Sequence, residues 1–260
     1  MRIALGLEYD GSAFCGWQSQ PGGCGVQDHL ERALATFADR PVPVIAAGRT
    51  DTGVHATAQV VHFDTDAHRD DNSWVRGPNS YLDPRVRVLW ARPVTDEFHA
   101  RFSARSRTYH YLLLDDPVAP AALNARMGWF HKPLDVAAMS AAMGMFLGEH
   151  DFSSFRDAQC QAKTPVKVMH EARVERRGNV IVFTFRASAF LHHMVRNLVG
   201  SLVYVGANRF DAEGLAKVFA SRDRRNAAPT FAPDGLYLAA IEYDPVFALP
   251  AFRPFPLFPS

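Results

Sequence analysis

In the run AAGRTDTGVHATAQVVHF, residues 46–63, Asp51 stands two residues after Arg49 and two before Gly53. An aspartate there can serve the turn alone, ion-paired to its neighbour, or it can serve chemistry. A nearby guanidinium favours an ionised carboxylate. An ionised, positioned Asp acts as a nucleophile or a base, not as a proton donor. The triplet Asp51-Thr52-Gly53 is also the signature of aspartic proteases. Those enzymes need two carboxylates sharing one proton and an apolar approach to each. Here Arg49 and Thr50 precede the triplet, and no second D-T-G or D-S-G occurs. Only a homodimer would supply the dyad, and Arg49 would oppose it.

Further candidates lie downstream. FLHHMVRNLVGSLVYVG (190–206) reads as a long helix with Leu191, Met194, Val195, Leu198 and Leu202 on one stripe. Arg196 and His192 fall nearly opposite that stripe, as solvated groups or as part of a site. In 98–111, Phe98, Phe102, Tyr109 and Tyr111 alternate with Arg101, Arg105 and Arg107. That mixture suits stacking on bases and contact with phosphates; it equally suits a strand that contributes aromatics to the core. Only four of the 28 basic residues are lysines. Arginine's planar fork suits phosphates and base edges, although codon composition alone can produce the same excess. Nucleotide cofactors are not expected, because no phosphate-loop or dinucleotide-binding glycine pattern opens a helix. No metal is expected either: there are no C-x-x-C pairs, and His192 and His193, read as helical, cannot both face one ion.

The elements that must position these groups follow from periodicity. IALGLEY (3–9) alternates as a strand. Residues 10–25 form a glycine-rich loop, and VQDHLERALATF (26–37) is an amphipathic helix. Strands follow at 42–47 and 58–64, so Asp51 lies on a strand-to-strand connection, where scaffolds often present functional groups. Residues 68–85 hold one short helical piece, and 86–94 is a strand. The basic stretch 98–107 is the best boundary. Beyond it come a strand at 108–114, a helix at 135–148 with Asp135 as N-cap, and a hairpin at 168–187 turning at Gly178-Asn179. The helix at 190–206 follows, then one at 211–221 and a last strand at 236–243. The order predicts α+β architecture with antiparallel or mixed sheets, in two related halves, 1–104 and 105–260. The Pro- and Phe-rich tail, PVFALPAFRPFPLFPS, is either a frayed end or an arm on a surface.

With 260 residues and 48% hydrophobic composition the chain can bury a real core. No apolar run is long enough to span a membrane, and the opening stretch is too short to be a signal peptide. Cys15, Cys24 and Cys160 suit a reducing compartment, which makes the cytoplasm the expected location. The net charge of +1 alone points to no polyanionic partner.

The stretch AGRTDTGVHATAQVVHF closely resembles the catalytic signature of the tRNA pseudouridine synthase A family. YDGSAFCGWQSQ, VQDHLERAL, FHARFSARSRTYHY, GEHDFSSFR, AFLHHMVRNLVG and PTFAPDGLYL follow in the family's order. The resemblance implies the pseudouridine synthase fold, with a catalytic cleft between its halves. It implies an isomerase that converts uridine to pseudouridine at positions 38, 39 and 40 of the tRNA anticodon stem-loop. It implies an ionised Asp, no cofactor, and a homodimer in which one tRNA touches both subunits. Carried over by position, Asp51 is the catalytic aspartate. Arg49 assists it and fills the space of the extruded base. Tyr109 packs on the target uracil, Arg196 pairs with the aspartate, and Leu236 lines the pocket. A non-catalytic RNA-binding module on the same fold is the other reading, and intact Asp51, Arg49, Tyr109 and Arg196 speak against it.

Overall fold

The computed structural model describes residues 1–252; the second half of the Pro- and Phe-rich tail lies outside the described residues. In chain order the elements are β1 (Arg2–Tyr9), α1 (Val26–Ala38), β2 (Ile45–Ala46), β3 (His55–Asp64), α2 (Asp71–Tyr81), β4 (Val86–Val94) and β5 (Ser106–Asp115). They continue with β6 (Gly128–Phe130), α3 (Val136–Met143), β7 (Gly148–Asp151), β8 (Val166–Arg177), β9 (Val180–Ala187), α4 (Met194–Gly206), α5 (Ala212–Ser221) and β10 (Leu236–Glu242). No helix among the described residues is long and apolar enough to cross a membrane.

The chain groups into two compact units. One holds Met1–Ser106 and the residues from Tyr237 on; the other is Arg107–Leu236. In the first unit β1 lies antiparallel to both β3 and β4. β10 runs parallel to β3, with Tyr237 opposite His55 and Leu238 opposite Ala56. The last strand, from Tyr237 on, groups with the first unit. β3 is buried along its whole length except Asp64. A central strand covered on both faces has no alternating pattern to read. Its polar members His55, Thr57, Gln59 and His62 sit inside, which is why periodicity begins the strand at 58 instead of 55. α1 buries Val26, Leu30, Ala33, Leu34 and Ala38, one stripe at helical spacing. α2 contains Gly77 and Pro78, both helix-weakening, yet buries Trp74 completely. Gly77 is needed there, since a Cβ would lie 2.1 Å from the Phe37 ring.

In the second unit β5, β9, β8 and β7 follow one another antiparallel, and β6 adds to β5 in parallel. The β8–β9 hairpin turns at Gly178, with φ of 59°. Asp135 and Asp211 cap α3 and α5 by accepting from Ala138 N and Gly214 N, satisfying donors that a helix start leaves open. α4 begins at Met194, four residues later than expected, because His193 adopts a left-handed φ of 60°. That conformation is rare for a residue with a Cβ, and nothing in the sequence announces it.

The cysteines require a correction. Cys15 and Cys24 form a disulfide, their Cα atoms 5.4 Å apart; Cys160 is a free thiol. The glycine-rich loop folds back on itself and brings the pair together, with Cys15 N donating to Cys24 O at 3.0 Å. Cysteine usage thus gives no ground for a reducing compartment.

Candidate active site

The connection from β2 to β3 carries Arg49 and Asp51. Burial alternates along it: Arg49 is exposed, Thr50 buried and Asp51 half-buried. Alternation is what an extended segment gives when one side faces a core. The buried side chain fixes the segment. Thr50 Oγ1 lies 2.8 Å from the Tyr9 hydroxyl, and Trp17 N donates to Thr50 O at 2.9 Å. Gln59 Nε2 donates to Gly48 O at 2.8 Å. Past the carboxylate the chain turns sharply, with Val54 N donating to Asp51 O at 3.1 Å and Gly53 at φ 80°. Gly16 packs against this turn so closely that a Cβ would sit 2.8 Å from Thr50 O. The result is a carboxylate and a guanidinium displayed from a rigid base, which suits attack on, or deprotonation of, a bound group.

In the second unit Tyr109 lies on β5, 9% exposed, its ring edge-on to Phe190 at 5.0 Å. Arg196 is in the first turn of α4 and half-buried. Its Nε donates to Phe231 O at 2.8 Å, and Phe231 N donates to Arg196 O at 3.2 Å. The neighbouring Asn197, fully buried, accepts from Arg224 Nη2 at 3.0 Å and Thr230 Oγ1 at 2.7 Å. Gly200 lets the 229–231 segment press onto α4, since a Cβ there would meet Pro229 O at 2.3 Å. Arg196 is thus held at both backbone and side chain. Leu236 is buried at the start of β10. Of the aromatic-basic run, Phe98 and Tyr111 are core residues, while Phe102 is 75% exposed. Arg105 is ion-paired with Asp244.

His192 and His193 precede α4 and are not helical, so they do not diverge as helical neighbours would. Their rings stack at 3.9 Å. Both turn to Asp157, with His193 Nδ1 2.9 Å and His192 Nδ1 3.3 Å from its oxygens. Burial pulls the Asp157 carboxyl upward, but the Gln159 N–H and His193 outweigh it and hold the group below its ordinary range.

Arg49 and Asp51 therefore share one turn of the first unit, and Tyr109, Arg196 and Leu236 fall in the second. Sequence reasoning missed Tyr9, Thr50 and Gln59, which hold the turn. The available signal was polarity: a glutamine between two apolar stretches in AQVVHF, and a tyrosine ending an apolar strand.

A profile of the tRNA pseudouridine synthases matches residues 7–103 and 142–244. The chain belongs to this family. It is 62% identical to tRNA pseudouridine synthase A of Paraburkholderia xenovorans (strain LB400) over 250 residues, covering 96% of this chain and 93% of that protein. It is 59% identical to the protein of the same name from Burkholderia multivorans (strain ATCC 17616 / 249), with the same coverage. To that of Methylobacillus flagellatus it is 57% identical, over 96% of each. The mixed sheets and flanking helices are accordingly those of the pseudouridine synthase fold, an α+β architecture.

Proposed function

We propose that this chain isomerises uridine to pseudouridine at positions 38, 39 and 40 in the anticodon stem-loop of tRNAs. The supporting observation is a half-buried carboxylate, Asp51, held on a braced turn in a chain so close to proteins named tRNA pseudouridine synthase A. In the reaction the C1′–N1 bond breaks, the uracil turns, and C5 bonds to C1′. The proton on C5 leaves and N1 gains one, so nothing is oxidised and no group enters. Asp51 is the catalytic group. Extruding the target base costs a few kcal/mol, and Arg49 offsets this by filling the vacated space. Tyr109 and Leu236 receive the uracil, and Arg196 supplies a guanidinium that balances negative charge. The chemistry calls for no cofactor. A tRNA substrate supports a cytoplasmic location.

The test is a tRNA labelled with tritium at uridine C5. Release of tritium, with the modified sites mapped to 38–40, supports the proposal. Binding without release identifies an RNA-binding module instead. Tyr109→Phe is expected to retain tRNA affinity, because the ring still stacks, and to lose much turnover, because the hydroxyl attends the C5 proton. Single-turnover tritium release beside a binding titration checks it, and near-normal turnover reduces Tyr109 to stacking.

The proposed assembly is a homodimer. Light scattering at micromolar concentration is expected to show twice the chain mass of 28.9 kDa. A species of the single chain mass alone overturns this.

A further inference from the structure

We propose that the segment Tyr9-Asp10-Gly11, at the end of β1, is a positioning device for Asp51: it grips both ends of the turn that carries the carboxylate. The inference rests on the reading of Asp51 as the catalyst. At the leading end, the Tyr9 hydroxyl lies 2.8 Å from Thr50 Oγ1, in the residue between Arg49 and Asp51. Tyr9 and Thr50 are 3% and 7% exposed. Burial pushes the Tyr9 hydroxyl's pKa far up, so it stays protonated. Gln59, fully buried on β3, extends this contact. Its Nε2 donates to Gly48 O at 2.8 Å and lies 3.5 Å from the Tyr9 oxygen, and its Oε1 accepts from Val60 N at 3.2 Å.

At the trailing end, Gly11 lies against Val54, so that a Cβ would fall 1.9 Å from Val54 O. Gly11 N donates to His55 Nδ1 at 3.1 Å. The His55 ring is itself stacked on Tyr237 at 4.6 Å. Tyr9 and Gly11, two residues apart, thus hold residue 50 on one side of Asp51 and residues 54 and 55 on the other.

The chemical type of these contacts is informative. Apolar side chains would fill the same space without desolvating a phenol, a hydroxyl and an amide. Hydrogen bonds add direction, which apolar packing does not. A turn that contains a left-handed glycine and displays a charged group gains the most from such direction. Misplacing a reacting group by about 1 Å costs on the order of 100-fold in rate.

The experiment compares Tyr9→Phe, Thr50→Val, Thr50→Ser and the Tyr9→Phe/Thr50→Val pair in single-turnover tritium release with saturating enzyme. tRNA affinity and melting are measured alongside. Tyr9→Phe and Thr50→Val are each expected to slow release about 10- to 100-fold, with affinity within about threefold of the parent. Thr50→Ser, which keeps the hydroxyl, restores the rate. The double variant is no slower than the slower single one, because both remove the same bond. Normal rates in the folded single variants overturn the proposal. So do additive losses, or loss of the fold in both single variants, since each makes the segment structural. Failure of the underlying reading looks different: the unsubstituted enzyme then releases no tritium, or Asp51→Asn releases it freely.

Discussion

Asp51→Asn is expected to reduce tritium release from C5-labelled tRNA to background while the protein still folds and still binds its substrate. The substitution keeps the size of the side chain and most of its hydrogen bonding. It removes the negative charge and nearly all of the nucleophilicity and basicity. The turn itself is held by groups that the change leaves alone: the Tyr9–Thr50 contact, the Trp17 N–H on Thr50 O, and the Gln59 amide on Gly48 O. The bond from Val54 N to Asp51 O is made by the backbone. Stability should therefore change by no more than roughly 1 kcal/mol, the scale of a partly exposed polar contact. Affinity for tRNA should change by less than about 1.4 kcal/mol, or tenfold, since most affinity for RNA comes from contacts spread over the backbone. Single-turnover conditions with saturating enzyme remove binding from the comparison. Substantial release by the Asn variant, with mass spectrometry excluding deamidation back to Asp, refutes the catalytic role. An ion-paired turn residue would leave the rate nearly normal.

The turn that carries Arg49 and Asp51 was legible from local sequence, and its bracing was not. Arg49, Asp51 and Gly53 lie within five residues, so one short stretch carries the resemblance. Tyr9 and Thr50 are 41 residues apart and Tyr9 and Gln59 are 50 apart; only the antiparallel pairing of β1 with β3 brings them together. Amphipathic elements such as α1 and α5 follow from spacing because each has one wet face. β3 has none, so its first three residues, 55–57, escape the spacing. The last strand shows a further limit. Nothing in LYLAAIEY specifies a parallel partner more than 170 positions earlier, yet Tyr237 stands opposite His55. The disulfide belongs here too: a glycine-rich loop permits Cys15 and Cys24 to meet, but composition argued from the total of three.

Arg196→Ala is expected to cut single-turnover release by about 100- to 1,000-fold, the range for removing one preorganised electrostatic group from an active site. Its effect on the fold should be small, for reasons visible in α4. The residues that bury the helix are its apolar neighbours, among them Met194, Val195, Leu198 and Leu202. Alanine is the best helix former. The bond from Phe231 N to Arg196 O is retained because it is made by the backbone. What is lost is the side-chain bond from Nε to Phe231 O, worth about 0.5–1.5 kcal/mol. Asn197 and Gly200 continue to hold the 229–231 segment. Arg196→Lys separates charge from geometry: it keeps a cation but loses the planar fork and the Nε–H that anchors it. It should therefore recover part of the rate and none of the Phe231 bond. Melting curves, tRNA titrations and single-turnover rates on the three proteins decide the matter. A large fall in melting temperature with the rate preserved makes Arg196 a strut for the Phe231 segment. A rate lost at nearly constant melting temperature and affinity makes its guanidinium part of the chemistry.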